Sequence, residues 1–373
     1  MEPSKRRKVV ADLMPPPPSG TFDVCIVGSG VSTGVPMMNH VFAGECPATD
    51  LHRKSDGQSV CLEAHANPAS KNARSNVSIL VRFKPAGGGD IVSIMVDAGK
   101  TMRPACLKSL PKLGISSIDA LLLTHDHADA IFGLDDLRDL QVQTEVIDET
   151  TGKLRGYRVA GAGTMRILSN KATLQTARTA FPYLAKPADY VEPGLLRRRV
   201  ASFKWEQIPH DNASLDLNGL PVRCFPVYHG GQYVSLGFTF GRTADGRRAF
   251  VYISDVKALP ADTEAYLLAA PIDVLVVDLL RRADHTTHFS FDEAVAFVRR
   301  FKPTKAYFVG MASCEVGDHD EVNVELRKLG EESEAGGQHM ELAFDGLCLP
   351  PMPTLPSDPE EWRACQPCEP DGY

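Results

Sequence analysis

The chain of 373 residues contains no run of roughly 18 or more apolar residues, the length that crosses a bilayer. No segment therefore reads as a membrane span. The basic residues Lys5, Arg6, Arg7 and Lys8 are followed by no long apolar core, which reads against a secretory signal. An excess of positive charge is also missing. Lys and Arg total 40 against 47 Asp and Glu, for a net charge of −7, which argues against a generally basic nucleic-acid binder. The nine cysteines are odd in number and scattered, so they form no disulfide framework, and a reducing compartment follows. The expected location is cytoplasmic, with a nuclear alternative if Lys5–Lys8 is an import signal. No repeat of fixed period is visible.

What the chain does have is an ordinary globular composition, 43% hydrophobic and 23% charged, enough for a core without staples. Residues 1–20, with Pro15 to Pro18, and residues 350–373 read as disordered tails. The second contains Cys365-Gln366-Pro367-Cys368, a lone C-x-x-C. Between the tails, apolar runs predict strands at 22–27, 77–83, 91–96, 117–123, 221–228, 234–240, 250–253, 274–277 and 306–309. Helical spacing predicts helices at 134–140, 173–179, 261–270, 291–301 and 322–329. Strands come first and strand–helix alternation follows, which suits a layered α/β fold.

The most informative stretch is 121–138, LLLTHDHADAIFGLDDLR. An apolar strand ends at Thr124, and His125, Asp126, His127 and Asp129 follow within five residues. Imidazoles supply neutral nitrogen ligands, and carboxylates supply charge and a base. The alternative is a solvated turn that caps the next helix. Four more stretches place polar groups after apolar runs, where α/β folds gather ligand contacts. These are Val96-Asp97-Ala98-Gly99, Tyr228-His229-Gly230-Gly231, Ile253-Ser254-Asp255, and Asp278 leading into His285-Thr286-Thr287-His288.

The stretches GSGVSTGVP, NARSNVSILV, VDAG, THDHADAIFGLDDLR, FPVYHGG, ISDV and HTTHFSFDEA together resemble the metallo-β-lactamase fold superfamily, in particular its PhnP-type cyclic phosphodiesterase branch, over Thr21 to Leu349. The resemblance implies a four-layer αββα sandwich. It implies His125, His127 and His229 as imidazole ligands of a first metal and Asp255 as a bridging carboxylate. Asp129 then matches a carboxylate of a second metal, His285 and His288 a pair beside the substrate, and Asp97 a brace for the ligand loop. Two departures stand out. Ala130 and Gly310 occupy positions where the family pattern has imidazoles of the second metal. One strongly held metal is therefore expected, with the second position weak or empty. Three imidazoles and a carboxylate suit Zn2+ best, with Mn2+ or Fe as alternatives.

The function that the resemblance implies is metal-dependent hydrolysis of phosphodiesters or cyclic phosphates by a metal-activated water. Asp129 would accept a proton or orient an imidazole, and His285 or His288 would bind or protonate the leaving group. A small anionic, phosphorylated substrate is expected. Nucleic acid and membrane are not, and a homodimer is compatible. Two alternatives stay open: a thioester or lactone hydrolase on the same fold, and a non-catalytic metal-binding module.

Gly28-Ser29-Gly30 with Gly34 departs from the dinucleotide fingerprint spacing, and Pro36 disfavours a helix there. This loop is read instead as a rim whose amides meet an anionic substrate. Cys46, His52, Cys61 and His65 form a loose group with two readings, ordinary loop residues or a structural zinc site. His40, His210, His319 and His339 have no assigned partner. Arg197-Arg198-Arg199 lies in a long stretch before His229 that reads as an insertion over the site.

Overall fold

The apolar runs become strands buried on both faces. In Thr21–Gly28, Val24 and Ile26 point into one core while Cys25 and Val27 point into another. This period of two is what a strand dictates, and the near-continuous apolar sequence reflects cover on each side. The computed structural model describes residues 13–46, 57–159, 164–185, 201–208, 213–332, 337–355 and 366–367. Among them lie two large sheets. The first has eight strands in the order Met352–Pro353, Thr21–Gly28, Ser78–Lys84, Val92–Val96, Ala120–Leu122, Met165–Ser169, Phe203–Gln207 and Gln366–Pro367. The second has seven: His339–Leu342, Lys305–Val309, Ile272–Asp278, Arg248–Ile253, Val234–Arg242, Leu220–Tyr228 and Ser214–Leu217.

The two sheets pack face to face. Phe22, Ile79 and Ile94 of one sheet share a core with Val222, Phe238, Phe250 and Val276 of the other. On the outer face of the first sheet, Met95, Leu121 and Ile167 bury against helices Met102–Leu113 and Lys171–Ala180. On the outer face of the second, Val251, Leu275 and Phe308 bury against Phe291–Phe301 and His319–Glu331. The result is the expected helix–sheet–sheet–helix sandwich.

Local chemistry explains most boundaries. Helix Phe291–Phe301 begins with a capping box, in which the Ser290 side chain and Glu293 satisfy each other's backbone amides. The expected helix at 134–140 is a 3-10 turn. Helix Met102–Leu113 was not expected, because Pro104 and Pro111 interrupt its sequence. Pro104 sits in the first turn, where no amide hydrogen bond is lost, and Pro111 in the last, where one i→i−4 bond is given up just before Gly114 ends the helix. Residues 143–159 of the long stretch before His229 form a separate two-stranded sheet. Lys5–Lys8, Arg197–Arg199, His52, His210, Cys365 and Cys368 lie outside the described residues.

Order extends further than the expected tails allow. Met352–Pro353 pairs with Thr21–Gly28, and Gln366–Pro367 pairs with Phe203–Gln207. At the other end, the Met14 amide donates to Lys112 O at 2.8 Å. The Arg82 guanidinium, fully buried in the first sheet, donates to Pro15 O at 3.1 Å. It also donates to both oxygens of Asp23, at 2.6 and 2.9 Å. Such a pair is stable only while both members are present, because either one alone is an unpaired buried charge. Arg82→Met should destabilise the fold by about 3–5 kcal/mol in chemical denaturation, and adding Asp23→Leu should recover much of that loss.

Candidate metal centre

The site forms where strands of both sheets end at one edge. Strand Val92–Val96 delivers Asp97, held at φ 60°, and Ala120–Leu122 leads to Thr124. The Thr124 amide donates to one Asp97 oxygen at 2.8 Å and its hydroxyl donates to the other at 2.8 Å. With its only proton used there, Thr124 Oγ1 must accept from His125 Nδ1, 2.8 Å away. The opposite nitrogen, His125 Nε2, is thereby left as a bare lone pair. It is buried and has no hydrogen-bond partner. Thr124 O accepts from the Leu236 amide at 2.9 Å, which ties this strand end to the second sheet.

His229 follows Leu220–Tyr228 in the second sheet. Its Nδ1 donates to Thr287 O at 2.9 Å, so its Nε2 is bare as well. Gly230 makes this contact possible. A Cβ there would lie 2.5 Å from Thr287 Cγ2 and would push the 286–287 segment away. His127, the exposed member, begins the short helix Ala128–Ile131 and stacks on Tyr233 at 5.1 Å and 13°. The Tyr233 hydroxyl donates to Asp126, which also accepts from Thr176 Oγ1 at 2.7 Å. Tyr233 is not legible in the sequence, since nothing local marks an aromatic four residues after His229 as a brace for His127.

Asp255 sits just beyond Arg248–Ile253, with its Oδ1 3.8 Å from His125 Nε2, 3.9 Å from His229 Nε2 and 4.0 Å from His288 Nε2. Donor atoms of His125, His127 and His229 lie within 4.8 Å of one another, as do those of His229, Asp255 and His288. Four tetrahedral ligands around zinc at about 2.0–2.2 Å require such a cluster. Two tautomers fixed by hydrogen bonds, a buried orphan nitrogen and a central carboxylate fit a divalent cation. Burial pushes His125 down to about 4 and His229 below its ordinary value, which keeps both imidazoles neutral. Burial opposes ionisation of Asp255, but the surrounding histidines, of which His288 is the one favoured in its charged form, hold it below the usual carboxylate range.

The remaining expected residues take distinct places. His288 Nδ1 bonds to Asp278 Oδ2 at 2.9 Å, which turns its Nε2 toward Asp255. Burial would lower His288, yet the Asp278 charge and hydrogen bond raise it to about 9. The Asp278 carboxyl is itself pushed up to about 6 by burial. His285 stands 5.4 Å from His288 between ring centres, and its Nδ1 accepts from the Thr287 amide at 3.3 Å. Asp129, half-buried, belongs to neither donor group, and its carboxyl is pushed up to about 6 by burial and by Asp255. Gly310, at φ 82°, has no room for a side chain, since a Cβ would lie 2.5 Å from Asp278 Oδ1. Ala130 is buried in the core beneath Ala98, whose amide donates to its carbonyl at 2.7 Å.

Four amides of the glycine loop turn inward. Those of Ser29, Gly30, Val31 and Gly34 donate to Asp345, Ser75, Met311 and Val31 inside the protein. Gly28 is there because a Cβ would lie 1.9 Å from Asn76 O. Two histidines without an assigned partner acquire one. His319 Nδ1 lies 3.3 Å from Arg74 Nη2, and His339 Nε2 lies 3.5 Å from Glu341.

A second donor group lies elsewhere. His40, Cys46, Cys61 and Cys314 are all buried, with donor atoms within 4.8 Å of one another. Cys46 and Cys61 thus meet His40 and Cys314, while His65 stays exposed on its helix. Hydrogen bonding from Cys314 pulls the Cys61 thiol down to about 5, while the same bond pushes Cys314 up and burial pushes Cys46 up, so one thiolate is favoured in the group. Three sulfurs and one imidazole with no open position suit a structural zinc ion. Cys61→Ser should remove one zinc equivalent per chain by elemental analysis and leave any metal bound through His229 in place. His229→Ala should do the converse.

The profile of the beta-lactamase superfamily domain matches residues 93–311. An octanoyltransferase of Porphyromonas gingivalis (strain ATCC BAA-308 / W83) is 24% identical over 270 residues, 72% of this chain, which spans only 42% of that protein's length. Among solved structures, a diphosphatase of the PhnP family is similar at a TM-score of 0.60 and 24% identity, covering 88% of this chain and 97% of that one. Zn(2+)-bound PqqB from Methylobacterium extorquens is similar at 0.55 and 18% identity, covering 88% and 99%. With the matched profile spanning more than half of its length, and with this sandwich and this edge of imidazoles and carboxylates, the chain belongs to the beta-lactamase superfamily.

Proposed function

We propose that the protein is a metal-dependent hydrolase of phosphodiesters or cyclic phosphates, with one strong metal position. The observation that carries this reading is the ring of three imidazole Nε2 atoms 3.8–4.0 Å from Asp255 Oδ1, one of them backed by its own carboxylate. A divalent ion held by His125, His127, His229 and Asp255 would supply a Lewis acid and make water acidic enough to ionise near pH 7. Zn2+ suits these donors best, with Mn2+ or Fe as alternatives. Asp129, with its carboxyl near 6, is tuned to accept a proton at neutral pH.

His288 is the group placed to protonate a leaving oxygen. Asp278 fixes its ring and favours its charged form. His285 keeps Nδ1 as an acceptor, so its Nε2–H is free to bind a phosphoryl oxygen. The net charge of −7 favours a small anionic substrate over a long nucleic acid. Among the described residues, no helix is long and apolar enough to cross a membrane.

The test is turnover of bis-p-nitrophenyl phosphate by protein purified without chelator. His229→Ala should abolish it. His288→Ala should lower kcat by roughly 10²–10⁴-fold with little change in KM, as for loss of a general acid. The proton on His288 is present below its folded pKa and lost above it. Wild-type kcat should therefore fall on an alkaline limb at or below about 9, because a nearby cation can only lower that value, and His288→Ala should lack the limb. Turnover of a thioester or lactone but of no phosphodiester would overturn the substrate class. No turnover of any of them with Zn2+, Mn2+ or Fe would favour a binding module.

A further inference from the structure

The second sheet carries another concave site at its opposite end. Strand Leu220–Tyr228 leads to His229 at one end and carries Arg223 near the other. Six residues at about 3.3 Å each separate the two by roughly 20 Å. Around Arg223 opens a cavity of about 620 Å3, lined also by Thr239, Arg242, Arg248 and Tyr266, with apolar wall from Pro221, Ala270 and Leu355. That volume falls within the range of roughly 300–1,000 Å3 of small-molecule sites. No carboxylate side chain is among its described lining residues.

The arginines here differ from others in the protein. Arg82, Arg166, Arg247, Arg281 and Arg282 each pair with a carboxylate. Among the described residues Arg223 has no such partner. Its Nε is buried without a hydrogen bond, and its guanidinium lies 4.5 Å from the Tyr266 ring centre. Arg248 lies 4.2 Å from the same ring, and its donors go to the carbonyls of Tyr266, Leu267 and Ala270 at the end of helix Ala261–Leu268. The Tyr266 hydroxyl donates to Thr239 Oγ1 at 3.0 Å, which holds the ring in place. Arg248 is therefore committed to the fold, whereas Arg223 and the exposed Arg242 present cationic forks to the cavity.

A guanidinium whose Nε is desolvated with no acceptor is costly, and an anion in the cavity would remove that cost. Two guanidiniums with no carboxylate partner among the described residues match the charge of roughly −2 on a phosphate monoester near neutral pH. The apolar wall leaves room for an organic group. We propose that this cavity is a binding site for a small organic phosphate monoester, separate from the metal centre and independent of its chemistry.

The experiment is calorimetric titration of the full-length, metal-loaded protein with phenyl phosphate, with phenylacetate as the carboxylate control. Phenyl phosphate can also reach the metal centre, so the titration is repeated in His229→Ala. Saturable binding that persists in His229→Ala, and weakens at least tenfold in Arg223→Gln, is the expected result. Binding should also weaken as salt is raised. Arg242→Gln serves as the second variant if Arg223→Gln does not fold, and should weaken binding in the same direction. The proposal is overturned by no saturable binding in His229→Ala, by unchanged binding in both arginine variants, or by phenylacetate binding more tightly than phenyl phosphate.

Discussion

Two sheets that are apolar on both faces have to be covered twice, and that requirement decides where polar side chains can stand. Val24 and Ile26 face the other sheet while Cys25 and Val27 face helices, so the middle of this strand offers no place for a ligand. Chemistry is pushed to the ends of strands, where backbone pairing stops and side chains meet the edge of the sandwich. Asp97, Thr124, His229, Asp255 and Asp278 all lie there. Hydrogen bonds from the Leu236 amide to Thr124 O and from the Gly310 amide to Ser29 O join the two edges beside the site.

Within the edge, each reactive atom is oriented by a partner that is itself held. Asp97 orients Thr124, which orients His125; Thr287 orients His229; Asp278 orients His288. His127 is the exception. It is exposed, and it relies on ring stacking with Tyr233, whose hydroxyl is anchored on Asp126. Neutral, lone-pair-bearing imidazoles crowd an anionic Asp255, a combination that calls for a cation at its centre. The protonated form is favoured only at His288, where a second carboxylate is within hydrogen-bond reach. The two kinds of histidine are thus separated by whether a carboxylate or a neutral oxygen lies behind the ring.

Much of this was legible before folding. The apolar runs at 22–27, 250–253 and 274–277 each became a strand, because a strand covered on both faces needs continuous apolar sequence. The family resemblance implied His125, His127, His229 and Asp255 as a set; donor atoms of the three histidines lie within 4.8 Å of one another, and Asp255 lies 3.8 and 3.9 Å from His125 and His229. Other features were hidden for physical reasons. Helix Met102–Leu113 carries two prolines that interrupt its pattern, one in the first turn and one in the last, so the helix persists. The glycine loop was read as a rim, but the amides of Ser29, Gly30 and Val31 are taken by a carboxylate and carbonyls of distant segments. The group of His40, Cys46, Cys61 and Cys314 could not be assembled from spacing, since Cys314 comes from the far side of the sequence.

By itself the sequence determined the strands and a layered α/β class, because both follow from local period and side-chain chemistry; its resemblance to a known family implied the four-layer sandwich and the groups able to hold a cation. Tertiary structure alone decided the tautomers of His125 and His229, the carboxylate behind His288, the closure of the Gly310 position and, among the described residues, the lack of a counter-ion beside Arg223. Each of these depends on a contact between residues far apart in the chain. Such contacts are set by how two twisted sheets meet, which no local pattern encodes.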